Sequence, residues 1–175
     1  MKRLLLMRHG NACSKSYGVS DHDRALTTNG ALITKIMSDK IIKYDTSFDL
    51  MLSSSASRAL STCKIIASTL GYDEKNIKVV PSIYNCTSSH LEHIIRKIDI
   101  SIDSVAIFGH NPTFHYMCDY LSNQTTKRFS ESSMICVDFN SKNWQKCLLE
   151  DLGLLQLVMQ DHTIFQKNNT ILRIK

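Results

Sequence analysis

The stretch Leu4-Leu5-Leu6-Met7-Arg8-His9-Gly10 decides the fold of this chain, because a short apolar run stops abruptly at Arg-His-Gly. A continuous apolar run of this length reads as a strand buried on both faces, as in a parallel sheet covered by helices. In such sheets the residues just past a strand's carboxyl end face the ligand crevice. Arg8, His9 and Gly10 therefore stand where chemistry is usually done. Alone, the tripeptide also fits surface residues after an N-terminal strand, so the reading turns on whether later strand ends supply partners.

Composition frames that search. The 175 residues fit one domain spanning 1–175, and 43% hydrophobic with 21% charged residues suits a chain that buries a proper core. Net charge is +5, from 21 Lys and Arg against 16 Asp and Glu. The basic residues are scattered, which implies mild attraction for anionic ligands and argues against a nucleic-acid surface. Lys2 and Arg3 precede the apolar run as in a secretion signal, yet Arg8 interrupts it short of the roughly 7–15 apolar residues such a signal needs. No apolar run approaches the ~20 residues of a membrane span, and no lipidation motif is visible, so a cytoplasmic location without membrane attachment is expected. Cys13, Cys63, Cys86, Cys118, Cys136 and Cys147 lie far apart with no Cys-x-x-Cys pair, so reduced thiols and no metal site are expected. Nothing in the sequence activates Cys13, although it lies close to His9.

Residues 11–26 are polar and irregular, which predicts a loop. Thr27 or Thr28 caps a helix carrying Leu32, Ile33, Ile36, Met37 and Ile41 at helical spacing and ending near Lys43. Phe48–Leu52 reads as the second strand, followed by Ser53-Ser54-Ser55 and a helix from Arg58 to Leu70 that Gly71 stops. Arg58 thus sits in the first turn of a helix, where the helix dipole already disfavours a cation. The placement makes sense if an anion binds there beside the serine hydroxyls and free backbone N–H groups. Ile77–Val80 is a short third strand closed by Pro81, and Ser88–Ile98 a helix. Ser104–Gly109 is the clearest buried strand, ending at Gly109-His110-Asn111-Pro112, with Pro112 opening a helix through Leu121. His110 repeats the position of His9. The alternation of strand and helix predicts an α/β fold with three α/β/α layers: a mostly parallel sheet with helices on both faces. Ser133–Phe139 and Leu154–Met159 read as strands of an antiparallel edge, with Trp144 near a turn between them, and the polar tail 166–175 as partly frayed.

Arg8-His9-Gly10, Arg24-Ala25-Leu26-Thr27-Thr28-Asn29-Gly30, Ser54 through Arg58-Ala59 to Thr62, and Gly109-His110-Asn111-Pro112 follow one another in order. Together they resemble the histidine phosphatase superfamily, with its phosphoglycerate mutase-like fold, over residues 1 to about 121. The short chain, the Leu-Thr-Thr-Asn-Gly stretch and the lack of a cap insertion look most like the small bacterial SixA-type phosphohistidine phosphatases. The resemblance implies that His9 attacks phosphorus and becomes a phosphohistidine intermediate, later hydrolysed by water. Arg8, Arg58 and a protonated His110 would supply the positive charge that a phosphoryl group in transfer needs. Asn11 and Ser54 would add neutral hydrogen bonds, although SixA-type proteins often carry Asp where Asn11 stands. No cofactor or metal is required.

The departure is at Ser82. Related phosphatases usually place a glutamate near this point as general acid, so ordinary phosphate esters should be poor substrates. The residues thus favour removal of phosphate from a phosphorylated histidine-containing signalling protein. The alternatives are a small-molecule phosphomonoester phosphatase or mutase of the same superfamily, and an idle phosphate-binding module. In each case inorganic phosphate or vanadate is an expected site ligand. Asp21 and Asp23 lie on the loop near the site and read as salt-bridge partners ahead of acids, while His22, His90, His93, His115 and His162 read as ordinary polar residues.

Overall fold

The computed structural model describes residues 1–42, 47–123, 125–126 and 128–148, and the backbone of 152–158, 163–167 and 170–173. The elements are β1 (Lys2–Arg8), α1 (Thr28–Ile42), β2 (Leu50–Ser53), α2 (Ser57–Thr69), β3 (Lys78–Val79), α3 (Ser88–Arg96), β4 (Ser104–Gly109), α4 (Thr113–Ser122), β5 (Met134–Phe139), α5 (Trp144–Cys147), β6 (Leu152–Val158), β7 (Thr163–Lys167) and β8 (Thr170–Arg173). They form one sheet in the order β3-β2-β4-β1-β5-β6-β7-β8. The first four strands of that order are parallel, and β5 turns the sheet antiparallel by pairing with β1.

The pleat explains the layers. Successive side chains of a strand point to opposite faces. Leu4 and Leu6 therefore pack with Val105, Ile107, Leu91, Ile95, Phe114 and Trp144 on the side of α3, α4 and α5. Leu5 and Met7 pack with Ala106, Phe108, Met37, Ile41 and Ile66 on the side of α1 and α2. Each fully buried large apolar side chain contributes about 1.5–3 kcal/mol, so β1, buried on both faces, ties the two cores together.

Local signals fix the helix ends. The Thr27 hydroxyl accepts from the Gly30 N–H at 2.9 Å, capping α1, and Thr87 caps α3 by accepting from His90. Gly71 follows α2 with φ 68°, the left-handed conformation that glycine takes without a Cβ clash. At the far end of β1, the buried Lys2 ammonium donates to the carbonyls of Ile100 and Ile102 and to Asp103. The Trp144 indole N–H donates to the same Ile102 carbonyl at 2.7 Å.

Three expectations need correction. The third strand is two exposed residues, not four, because Pro81 and the short 3-10 turn Pro81–Ile83 cut it off. Trp144 opens a short helix, α5, capped by Asn143. The tail 166–175 is not simply frayed: 163–167 and 170–173 extend the antiparallel side as β7 and β8. The expected helix end near Lys43, the strand end at Met159 and His162 lie outside the described residues.

Candidate active site

Sheet register brings the two histidines together. Arg8 lies opposite Gly109 across the parallel β1–β4 pair, so the next residues, His9 and His110, leave adjacent strands side by side. The His9 N–H donates to the Gly109 carbonyl at 3.1 Å. The imidazole rings end 5.0 Å apart, tilted by 54°. β2 joins from the other side of β4, and the Ser54 N–H donates to the Phe108 carbonyl at 2.9 Å. That places the buried Ser54 hydroxyl 2.8 Å from His110 Nε2.

The protonation of His9 follows from its partners. Nδ1 lies 2.7 Å from the Gly10 carbonyl, an acceptor only, so Nδ1 carries the proton. Nε2 accepts from Arg58 Nε at 3.3 Å and therefore presents a lone pair. Burial pushes the His9 imidazole down to about 4, with Gly10 opposing and Arg58 and Arg8 assisting. His110 is pushed down to about 3 by burial, then by His9 and Arg58. In the free site burial thus favours the neutral form of both imidazoles, and the charge of a bound anion would favour the cationic His110 that the resemblance implies during transfer.

Each arginine is held by its own carboxylate. Arg58, buried in the first turn of α2, donates through Nη1 to the Asp21 carbonyl at 2.5 Å and through Nη2 to Asp21 Oδ2 at 2.9 Å. Arg24 and the Tyr84 hydroxyl donate to the same carboxylate, each at 2.9 Å. Arg24 and Tyr84, with Arg58, hold Asp21 well below the usual carboxylate range. Arg8 donates to the Phe129 carbonyl at 2.8 Å and to Glu131 at 2.9 Å. Arg8 Nε and His110 Nδ1 are buried with no partner among the described residues. A buried donor or acceptor left unpaired costs about 1–3 kcal/mol, which makes a polar ligand the natural complement of this site.

The surrounding backbone is drawn in tightly. The Gly10 N–H donates to Thr62 Oγ1 at 2.9 Å, and Thr62 in turn donates to the Arg58 carbonyl at 2.7 Å. A Cβ on Gly30 would collide with the Asn11 carbonyl oxygen, so only glycine lets the first turn of α1 dock against the loop after His9. Asn11 itself is exposed, and its Oδ1 accepts from the Thr27 hydroxyl at 3.1 Å.

The fold brings His9, His110, Arg58 and Ser54 together with Arg8 at the same strand end, while Asn11 is exposed beside them. The ionic partnership of Asp21 with Arg24 is as read. Asp23 instead pairs with His22 and Ser20 away from the centre, and Glu92 with Arg96 on α3. Ser82 is exposed in its 3-10 turn, and the side chain that reaches the site from that segment is Tyr84, its ring edge-on to His110 at 5.4 Å. Tyr84, Phe129 and Glu131 were not identified from sequence. The only signal for them is indirect: an arginine at a strand end needs a carboxylate, but not which one. Among the described residues no group of three His, Cys, Asp or Glu side chains is placed to hold a metal ion.

No family model matches this chain. It is 27% identical over 176 aligned positions to an uncharacterized chloroplastic protein of Arabidopsis thaliana, covering 94% of this chain and 80% of that protein. No helix among the described residues is long and apolar enough to cross a membrane, and the expectation of a cytoplasmic location rests on the sequence alone. A SixA protein of Agrobacterium tumefaciens, provisionally described as a phosphohistidine phosphatase, superposes with a TM-score of 0.72 at 26% identity, over 79% of this chain and 92% of that one. The protein histidine phosphatase SixA complexed with tungstate superposes with a TM-score of 0.66 at 25% identity, over 81% and 91%. The chain's fold is thus similar to that of SixA proteins, and a phosphatase and a phosphoglycerate mutase of the same fold superpose on it as well.

Proposed function

We propose that this protein removes the phosphoryl group from phosphohistidine in a histidine-containing phosphotransfer protein, through a covalent intermediate on His9. The comparisons support the coarser statement, a phosphatase of the histidine phosphatase superfamily. The observation that carries the reading is the unprotonated Nε2 of His9, whose lone pair faces Arg58, in a site where Arg8 Nε and His110 Nδ1 are buried without a partner among the described residues.

In the first step the His9 Nε2 lone pair forms a bond to phosphorus while the N–P bond of the substrate breaks. Its electron pair returns to the departing ring, whose other nitrogen carries a proton taken from solvent before cleavage, so that neutral imidazole leaves. In the second step a water oxygen attacks phosphorus, the His9 N–P bond breaks, and phosphate and free His9 result. Arg8, Arg58 and an anion-protonated His110 stabilise the charge on the phosphoryl oxygens, with Ser54 holding His110 and Asn11 at the rim. The free His9 is already neutral at pH 7 and needs no base.

The acid side of the chemistry favours an N–P bond. Ser82 is exposed, and the carboxylates nearest the centre, Asp21 and Glu131, are ion-paired with arginines. A positioned general acid contributes on the order of 10²–10⁴-fold to departure of an alkoxide, whereas imidazole, with a conjugate acid near pKa ~6.5, leaves readily. The links from β2 to α2 and from β4 to α4 are only a few residues long and carry no inserted cap, which suits a protein substrate. Labelled phosphodonor followed by an alkaline quench should trap an alkali-stable, acid-labile phosphoenzyme in the wild type and none in His9→Ala. Label at wild-type levels in His9→Ala overturns the nucleophile. A wild type that cleaves aliphatic phosphate esters as fast as phosphohistidine overturns the substrate class.

A further inference from the structure

Asp21 carries more contacts to the centre than a loop residue needs. One side chain receives Arg58 Nη2, Arg24 Nη1 and the Tyr84 hydroxyl, and the Asp21 carbonyl receives Arg58 Nη1. With both terminal nitrogens of Arg58 so engaged, the guanidinium plane is set and Nε is left pointing at His9 Nε2. The loop holding Asp21 is itself fixed to α2, because the Ser57 N–H donates to the His22 carbonyl at 3.0 Å. The Tyr84 ring closes the arrangement, lying 5.9 Å from the Arg58 guanidinium and edge-on to both His22 and His110.

We propose that Asp21, braced by Arg24 and Tyr84, is a positioning residue that aims Arg58 at the phosphoryl group and offsets its charge so that product phosphate can leave. The inference rests on the reading of His9 as nucleophile. Its physical basis is a division of labour. Arg58 must bind the transition state more tightly than the product, and catalysis gains only from interactions stronger in the transition state. A fixed guanidinium costs no reorganisation as charge develops. A carboxylate beside it lowers the net field felt by any phosphate dianion, product included. Glu131 stands in the same relation to Arg8. An acid role for Asp21 is excluded by its three donors, each of which favours the carboxylate form.

A purely structural ion pair and a positioning carboxylate give opposite results for anion affinity. Inorganic phosphate binding to the free protein is read by titration calorimetry, and turnover with p-nitrophenyl phosphate. In Asp21→Asn the lost aim should lower kcat about tenfold, while the lost charge offset outweighs it for simple anion binding and lets phosphate bind about three- to tenfold more tightly. In Asp21→Glu the charge remains and the reach changes, so phosphate affinity should stay within about twofold of wild type while kcat remains low. Tyr84→Phe keeps the ring against His110 and loses only the hydroxyl on Asp21, and should lower kcat by a smaller factor in the same sense. If Asp21→Asn does not fold, the Asp21→Glu and Tyr84→Phe pair decides. Weaker phosphate binding accompanying the fall in kcat, or an unchanged kcat, overturns the proposal. A wild type that binds phosphate and forms the phosphoenzyme while Asp21→Asn fails to bind tighter defeats this inference alone, whereas a wild type that does neither defeats the proposed function with it.

Discussion

His9 and His110 are buried bases kept neutral, and this makes acidity a direct test of the site. The unfolded chain takes up a proton on each near pH ~6.5, whereas the folded chain resists until about 4 for His9 and about 3 for His110. Below the unfolded value the unfolded state binds more protons, so stability rises with pH across this window and is lost on acidification through it. Each histidine contributes at most about 1.4 kcal/mol per pH unit. The urea midpoint should therefore fall between pH 6.5 and 4.5, and His110→Gln should flatten that slope. An unchanged slope would mean that His110 titrates normally. Arg58 is tested by its charge: Arg58→Ala should weaken vanadate or phosphate binding at least about tenfold, since a charge-assisted contact contributes roughly 1.5–3 kcal/mol. Arg58→Lys should restore only part, having no planar fork. Unchanged vanadate inhibition in Arg58→Ala would reduce the arginine to a structural residue. These residues were legible in the sequence because each stands at the end of a strand or start of a helix. The tie of Asp21 to Arg58 and the roles of Tyr84 and Glu131 were not legible, because these contacts span 37, 63 and 123 positions of chain. Separations of that size are set by the tertiary fold.

The elements themselves were legible where periodicity and end signals agreed. β1 and β4 are continuous apolar runs, and α1 to α4 carry caps or stops that the sequence states outright. β3 was legible in place and closed by Pro81 as read, but it is one residue shorter at each end, its start set by the 3-10 turn Glu74–Asn76. β7 and β8 were missed because an antiparallel edge is built by backbone hydrogen bonds and tolerates polar sequence that shows no core-facing pattern. The most demanding junction between elements is α1 against the loop after His9, where Gly30 meets the Asn11 backbone. Gly30→Ala places a methyl on a carbonyl oxygen that cannot swing aside. It should cost about 1–3 kcal/mol of stability, the usual range for overpacking, and should lower activity as well, since Asn11 lies two residues after the nucleophile. Wild-type stability and turnover in Gly30→Ala would show that α1 docks less rigidly than the geometry indicates.

For the whole molecule, the site draws on the carboxyl ends of β1, β2 and β4, while both hydrophobic cores lie along the sheet faces. Ligand binding therefore adds to stability without rearranging either core. Phosphate or vanadate at about 100 times its Kd should stabilise the fold by about 2.7 kcal/mol. A raised melting temperature in the wild type, roughly halved or less in Arg58→Ala at the same anion concentration, is the expected pair of results; an equal rise in both places the anion elsewhere. The base of the sheet supplies the means to read such experiments. Trp144 is the chain's single tryptophan, 1% exposed, with its indole bonded to the Ile102 carbonyl near the buried Lys2 ammonium. β1 runs from Lys2 beneath it to Arg8 at the crevice, about 20 Å at ~3.3 Å per residue. The molecule thus holds one tryptophan, remote from its chemistry: its emission, excited selectively over the six tyrosines, should shift red only when the base of the sheet opens, and should stay silent when an anion docks at the opposite end. Unfolding can then be followed by tryptophan emission with no contribution from anion occupancy, even in a sample saturated with ligand.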